Sequence, residues 1–178
     1  LKSFPGPEAQ VAAVADDIAY CNHDIDDGIR AGLFTIDEIS QISHINEIIN
    51  FIKNNWPKIE NRRLIHETIR KLISNMIDDV IKESELILKK ADFQTVNEIR
   101  SLDYPVIKFS KEMHRNNEIL RNFLFKKMYK HTIVNRMTTK AKDIVKDLFK
   151  AFNSDFSILP LEWRNRVDSV NKSHKQRI

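Results

Sequence analysis

Residues 8–32 of the chain read EAQVAAVADDIAYCNHDIDDGIRAG. Placed on a helix at about 100° per residue, it separates into two opposed faces. One face is apolar and predicts burial: Val11, Val14, Ile18, Cys21, Ile25 and Ile29. The other carries carboxylates, an imidazole and a phenol: Asp16, Tyr20, His23, Asp24 and Asp27. This polar face is either the solvated side of an amphipathic helix or the wall of a pocket for a metal and a polar ligand.

The rest of the chain favours helices throughout, so the sequence predicts an all-α fold. Only three glycines occur, all before residue 33, and the remainder therefore has little material for hairpin turns. Thr35 and Glu38 have the spacing of a capping box that starts a helix. Periodicity predicts helices over residues 8–31, 45–52, 58–90, 106–130 and 138–153, with a looser stretch at 92–105 and a frayed basic tail at 171–178.

Composition is that of an ordinary globular protein of 178 residues, with 42% hydrophobic and 30% charged residues. The single cysteine, Cys21, cannot form an internal disulfide, and its place on the apolar face predicts a small buried side chain. No apolar run approaches the length of a membrane span, and no signal peptide is evident. We therefore expect a cytoplasmic protein without a membrane partner. Because the chain begins at Leu1, we also expect it to be a piece of something longer.

The net charge of +4 raises the question of an anionic partner. Basic residues cluster in the C-terminal third: Lys126, Lys127, Lys130, Lys140, Lys142, Lys146, Lys150, Lys172, Lys175 and Arg177. Such a distribution attracts polyphosphates and, less specifically, nucleic acid, although it can equally be a solubilising surface. The chain shows neither a recognition-helix motif nor the interleaving of aromatic and basic residues that single-strand binders use.

The order of residues in the first helix resembles a segment of the deoxynucleoside triphosphate triphosphohydrolases, the dGTPase-like branch of the HD phosphohydrolase superfamily. The matching pieces are EAQ at 8–10, ADDIAY at 15–20, HDIDDG at 23–28 and RAG at 30–32. The resemblance implies that Asp16 is the last of four metal ligands, a hard oxygen donor suited to Mg, Mn or Fe. It also implies that Tyr20 and Asp24 hold the deoxyribose and its 3′-hydroxyl.

Three of the four ligands that the resemblance implies have no counterpart in the chain. The family's remaining ligands are a His and a His-Asp pair upstream, whereas the only pair here, His23-Asp24, lies on the same helix as Asp16 and matches a different feature. We therefore expect the isolated chain to be inactive. We also expect it to expose apolar surface near residues 8–30 and to self-associate.

A second segment, residues 109–131, resembles a helix in the C-terminal half of the same family. There the resemblance implies that Arg121 contacts the triphosphate and that Tyr129 lines the nucleotide pocket. A guanidinium suits the first task because it can pair two phosphate oxygens at once. From spacing alone, however, Arg121 could be a surface arginine and Tyr129 a core aromatic at a helix end.

The resemblance extends from Glu8 to Trp163, and it implies the C-terminal part of an all-helical HD-like bundle. Residues 1–33 would end the HD catalytic domain, and residues 34–178 would form the C-terminal helical region. The implied activity is metal-dependent hydrolysis of a deoxynucleoside triphosphate to the deoxynucleoside and triphosphate. Implied partners are a homo-oligomer or an N-terminal partner fragment, with weak binding of single-stranded nucleic acid possible. The alternative is an inactive helical remnant or interaction module of a split or truncated gene.

Overall fold

The computed structural model describes residues 3–168, with side chains as far as residue 164, and this part of the chain contains helices and no strand. It confirms the predicted all-α class. The chain divides into two compact units, Leu1–His131 and Thr132–Ile178. The first unit contains α1 (Pro7–Arg30), α2 (Ile36–Ile39), α3 (Ser43–Asn55), α4 (Asn61–Ala91), α5 (Val96–Arg100), α6 (Lys111–Leu124) and a π-helical turn (Phe125–Tyr129). The second contains α7 (Thr132–Ser154), a 3-10 turn (Phe156–Ile158) and α8 (Leu161–Asp168).

Local chemistry explains where the first helices begin and end. Pro7 occupies the first turn of α1, where its missing N–H costs nothing. Gly32 has φ +66°, a left-handed conformation that glycine adopts without strain, and it closes the turn after α1. The predicted capping box is confirmed, because the Thr35 hydroxyl accepts from the Glu38 N–H while the Glu38 carboxylate accepts from the Thr35 N–H. The glycine turn and the capping box together determine where α2 begins.

The core of the first unit lies where α4 packs against α1 and α3, and where α6 covers α1. Its most deeply buried apolar side chains are mainly branched aliphatics: Ile25, Ile39, Ile45, Met76, Leu120, Leu124 and Val106. Gly28 allows one close approach, since a Cβ there would lie 2.2 Å from the Phe34 ring. Phe34 in turn meets Phe123 edge-on, with ring centroids 5.1 Å apart. The Phe34 ring, in the loop between α1 and α2, thus contacts both Gly28 of α1 and Phe123 of α6.

Val11, on a face that periodicity predicts to be buried, is exposed, and so is an isoleucine of α4. Val11 of α1 and Ile77 of α4 are 52% and 43% exposed, and both border a groove between the two helices that also contains Ile81 and Ile107. The apolar face of each helix is wider than the contact between the two helices, so the apolar side chains at the edges of that face stay exposed to solvent. Cys21 is buried as predicted.

Two predicted helix starts differ most from the structure. Residues 106–109 are not helical, and α6 begins at Lys111. Gln10 Oε1 accepts hydrogen bonds from the N–H groups of Val106 and Ile107 at 2.8 and 3.1 Å in this segment. Ser110 then caps α6. At the other end, α7 begins at Thr132 rather than residue 138. The tail at 171–178 lies outside the described residues.

Residues 1–33 pack in the same compact unit as the helices that follow them. The assignment of residues 1–33 to the end of a catalytic domain and of residues 34–178 to a C-terminal helical region stays a prediction. Within residues 3–168, no helix combines the length and the apolar character needed to cross a membrane.

Candidate functional site

An open cavity of about 470 Å³ lies in the first unit between α1, α6 and the π-helical turn. Its lining combines charged, aromatic and sulfur-bearing side chains: Asp17, Tyr20, Cys21, Asp24, Arg121, Asn122, Leu124, Phe125 and Tyr129. The α1 residues recur at intervals of three and four, so they share one face of the helix. The volume falls within the range of small-molecule sites, and the mixture of apolar walls with a few polar groups is typical of them.

Asp24 and Tyr129 meet across this cavity although 105 residues separate them in sequence. The Tyr129 hydroxyl donates a hydrogen bond to the Asp24 carboxylate. Burial, followed by this hydrogen bond to Asp24, raises the pKa of Tyr129 to about 12. Tyr129 therefore remains a neutral donor at physiological pH. Since a carboxylate has two oxygens, Asp24 can accept from Tyr129 on one and from a ligand hydroxyl on the other.

Arg121 reaches the same cavity from α6. Its Nη2 lies 3.2 Å from Asp17 Oδ1, and the two side chains are 52% and 58% exposed. An ion pair as exposed as this contributes at most about 1 kcal/mol, so a more highly charged anion can displace Asp17 from the guanidinium. Arg121 thus presents to the cavity a guanidinium that an anion can reach.

Aromatic and sulfur-bearing groups complete the wall. Phe125 meets Tyr129 edge-on with ring centroids 6.4 Å apart, and Lys130 Nζ lies 4.8 Å above the Phe125 ring. Tyr20 is 66% exposed, so its ring is accessible to a ligand. Burial raises the pKa of Cys21 to about 11, which keeps the thiol protonated and poorly nucleophilic. Cys21 therefore serves as packing at the cavity floor.

Asp16, which the sequence analysis assigns to a metal, does not line the cavity. It is exposed on α1, about 100° around the helix from Asp17. No group of three or more His, Cys, Asp or Glu side chains in the described residues could hold a metal ion. The donors within this part of the chain therefore do not make a complete metal site around Asp16. Its assignment stays a prediction.

Four of the five sequence-assigned residues converge on the cavity: Tyr20, Asp24, Arg121 and Tyr129. Sequence reasoning missed Asp17, Cys21 and Phe125. Helical geometry could have identified Asp17, because it lies seven residues before Asp24 and therefore on the same face of the helix. The tertiary position of Phe125 depends on the π-helical turn, which sequence periodicity does not predict.

Comparison with known proteins finds one family model and several relatives that match the chain. Residues 107–178 match the family model described as a phosphohydrolase-associated domain. A deoxyguanosinetriphosphate triphosphohydrolase-like protein of Parvibaculum lavamentivorans is 42% identical over 168 residues, covering 94% of this chain and 42% of the relative. Proteins of the same name from Azorhizobium caulinodans and Caulobacter sp. are 39% and 36% identical over 92% and 100% of this chain.

The match covers nearly all of this chain but less than half of each relative. The chain spans 42%, 41% and 45% of the Parvibaculum, Azorhizobium and Caulobacter proteins respectively. Each relative thus contains more than half of its length outside the match. By its sequence, the chain is a homologue of the deoxyguanosinetriphosphate triphosphohydrolase-like proteins, a family of phosphohydrolases, and corresponds to less than half of their length.

Proposed function

We propose that the chain is the C-terminal part of a metal-dependent deoxynucleoside triphosphate triphosphohydrolase and forms one wall of its nucleotide site. The observation that carries the proposal is the convergence of Asp24, Arg121 and Tyr129, from distant parts of the sequence, on a single cavity. Their chemistry matches the parts of the substrate: a carboxylate for a sugar hydroxyl, a guanidinium for phosphate, and aromatic walls for the nucleoside.

Asp24 and Tyr129 act together in this proposal. The neutral Tyr129 hydroxyl holds one carboxylate oxygen and so fixes the orientation of the other toward the cavity. A ribose hydroxyl bound to that oxygen would be placed near the exposed ring of Tyr20. Arg121 exchanges Asp17 for the more highly charged triphosphate, two of whose oxygens accept hydrogen bonds from two N–H groups of the guanidinium.

Asp16 would contribute one ligand to a divalent metal, Mg, Mn or Fe, whose other ligands come from polypeptide that the relatives possess outside the match. When bound, such a metal would supply an activated water or polarise a phosphoryl oxygen. The exposure of Asp16 supports this role, because its carboxylate is open to a neighbouring segment. The free, buried Cys21 is in keeping with the cytosol as the place of function.

The test is triphosphate release from dGTP with Mn²⁺ present. We expect none from the 178-residue chain alone. Co-expression with the part of the Parvibaculum lavamentivorans relative that the chain does not match should yield activity. In that complex, Asp16→Ala should abolish release while Asp17→Ala, the matched neighbour, should reduce it far less. Turnover by the purified chain alone that Asp16→Ala abolishes would show that the chain holds a complete metal site, contrary to the proposal.

A complex that forms but loses no activity on Asp16→Ala, Asp24→Asn or Arg121→Ala would also contradict the proposal. Such a result would favour the alternative reading of the chain as a helical interaction module. Formation of the complex is measured independently by co-purification, so that failure to assemble is distinguished from failure to catalyse.

A further inference from the structure

The first unit contains a second cavity, which lies between α3, α4 and α6 and has a volume of about 310 Å³. It shares no lining residue with the cavity between α1, α6 and the π-helical turn, and no described residue of α1 lines it. Its volume is at the lower end of the range for small-molecule sites, so it fits a small ligand. The proposed function makes no use of this second cavity.

Buried apolar side chains line part of the second cavity. Ile48 of α3 and Leu72 and Met76 of α4 are among its lining residues, and all three are buried. Met113 of α6 also lines it and is partly buried, while Phe51 of α3 borders it and is 54% exposed. Methionine adapts its shape to a neighbour because its side chain is unbranched and flexible. This part of the cavity therefore fits a compact apolar group.

Neutral polar side chains from the same three helices also line the cavity. The amides of Asn75 on α4 and Asn116 on α6 are partly buried, and neither makes a side-chain hydrogen bond within the described residues. Burial lowers the pKa of His44 on α3, so its imidazole is neutral at physiological pH. Most buried polar groups in proteins are hydrogen-bonded. A ligand that offers hydrogen bonds to the two amides would satisfy groups that the fold leaves unpaired.

Opposite charges line the cavity from two different helices. Glu47 on α3 and Lys71 on α4 are both exposed, and neither forms an ion pair with another residue that the structure describes. The Glu47 carboxylate accepts a hydrogen bond from the Ser43 hydroxyl at 3.4 Å. With His44 neutral, the cavity carries one negative and one positive charge. A net-neutral ligand with separated charges therefore fits it better than a polyphosphate or a metal ion does.

We propose that this second cavity binds a free α-amino acid with an apolar side chain. The ammonium group of the ligand donates to the Glu47 carboxylate. The carboxylate of the ligand accepts from the Lys71 ammonium group and from the amide of Asn75, which lies one turn further along the same face of α4. The apolar side chain of the ligand packs on Leu72 and Met76, away from water.

The amino-acid site does not rest on the proposed function. The two cavities share no lining residue, so either proposal can fail without the other. Arg121→Ala, which alters the cavity between α1 and α6, should leave the dissociation constant of the amino acid unchanged.

NMR titration of the isotope-labelled 178-residue chain with L-leucine tests the site. We expect saturable shifts of the backbone amide signals of Leu72 and Asn116, with a dissociation constant of about 1 mM or below. Isoamylamine is leucine without its carboxylate, and isocaproate is leucine without its ammonium group. Each should bind at least about tenfold more weakly, because one charged contact is lost. L-Aspartate should not bind, since its side-chain carboxylate would enter the apolar part of the cavity.

Two variants test which protein charge meets which end of the ligand. Lys71→Met should weaken binding of leucine and isocaproate at least about tenfold and leave isoamylamine unchanged. Glu47→Gln should weaken binding of leucine and isoamylamine and leave isocaproate unchanged. Lys82→Met, at an exposed lysine of α4 outside the cavity, is the matched control and should bind leucine as wild type does. Circular dichroism of each variant confirms that its helices are intact.

Three results would overturn the proposal. The first is a folded wild-type chain that shows no saturable shift with L-leucine. The second is binding of isoamylamine, isocaproate or L-aspartate as tight as that of leucine, because the cavity would then not select a zwitterion with an apolar side chain. The third is a loss of leucine binding in Lys82→Met as large as in Lys71→Met, because the charge at position 71 would then have no specific role.

Discussion

At the scale of single residues, the site depends on one hydrogen bond between the Tyr129 hydroxyl and the Asp24 carboxylate. It joins α1 to the π-helical turn and contributes to the raised pKa of Tyr129. Burial and the neighbouring carboxylate together disfavour the tyrosinate, because ionisation would place two negative charges side by side. The consequence is a phenol that keeps its proton throughout the physiological range.

This coupling predicts an abnormal tyrosine titration. The chain has three tyrosines, and we expect one of them to ionise with a pKa of about 12 when tyrosinate absorbance is followed against pH. Tyr129→Phe should remove that late component. Asp24→Asn should move it down, though not fully to the ordinary value, because burial is the larger cause of the shift. Three identical ordinary titrations in the folded protein would contradict the contact.

The same shift has a defined effect on stability. Folding raises the pKa of Tyr129 above its ordinary value of 10. The neutral phenol therefore stabilises the folded state, and below pH 10 this contribution to the free energy of unfolding is fully present. The contribution is lost as pH rises toward about 12. Wild type should therefore lose stability over this alkaline window by more than Tyr129→Phe does, as measured by denaturant unfolding at a series of pH values.

At this scale, four of the residues that the sequence assigns to the site line the cavity. Helical spacing places Tyr20 and Asp24 on one face of α1, but it is the family resemblance that assigns roles to them and to Arg121 and Tyr129. The assignment of Asp16 to the same face did not hold for the cavity, since one residue of offset turns a helical side chain by about 100° and brings Asp17 to Arg121 instead. Which of two adjacent aspartates meets a given partner depends on the packing rotation of the helix.

At the scale of helices, Gln10 connects the start of α1 to the segment before α6. Its amide oxygen accepts from the N–H groups of Val106 and Ile107, and its amide nitrogen donates to the Pro5 carbonyl at 2.8 Å. Gln10 and Val106 are both buried. The side chain thus satisfies backbone groups that would otherwise be unpaired away from water.

Removal of this connection should cost stability. Gln10→Ala leaves buried N–H groups without an acceptor, and we expect it to lower the free energy of unfolding by about 2 kcal/mol. Gln41→Ala, at an exposed glutamine, is the matched control and should change it little. Urea denaturation followed by circular dichroism measures both. Equal effects of the two substitutions would show that Gln10 does not hold the segment.

The contact between α1 and Phe34 predicts a second change in stability. A Cβ at position 28 would lie 2.2 Å from one atom of the Phe34 ring and 2.5 Å from another, and this ring is almost fully buried. Gly28→Ala should therefore lower the free energy of unfolding by about 1–3 kcal/mol through overpacking. Adding Phe34→Leu should recover part of the loss in the same denaturation experiment. Gly28→Ala with wild-type stability would refute the close approach.

Helix periodicity predicted the existence of the long elements better than their ends. The core side of α4 followed from its sequence, because Leu64, Leu72 and Met76 recur on one face and are buried. The start of α6 did not, since residues 106–109 are apolar enough for a helix, yet the helix begins only after Ser110, whose side chain caps it. The N–H groups of Val106 and Ile107 donate instead to Gln10, a contact between distant parts of the sequence that periodicity does not predict.

At the scale of the whole molecule, the first unit has an apolar core of its own, whereas the polar face of α1 has no cluster of metal donors among the described residues. Leu120 and Leu124 of α6 and Ile25 of α1 are almost fully buried, so the first unit has its own apolar interior. The polar side of α1 is different, because Asp16 and Tyr20 are exposed and no described cluster of donors surrounds them. This contrast supports the proposal that further polypeptide completes the site.

We propose that the cavity between α1 and α6 binds a nucleoside triphosphate, and isothermal titration of the 178-residue chain with dGTP measures this binding. We expect binding that inorganic triphosphate displaces and that Arg121→Ala weakens at least about tenfold, through loss of a charge-assisted contact to phosphate. Arg115→Ala, an exposed arginine of the same helix, is the matched control and should bind as wild type. Absence of binding by the folded chain, or equal binding by Arg121→Ala and wild type, would contradict the claim.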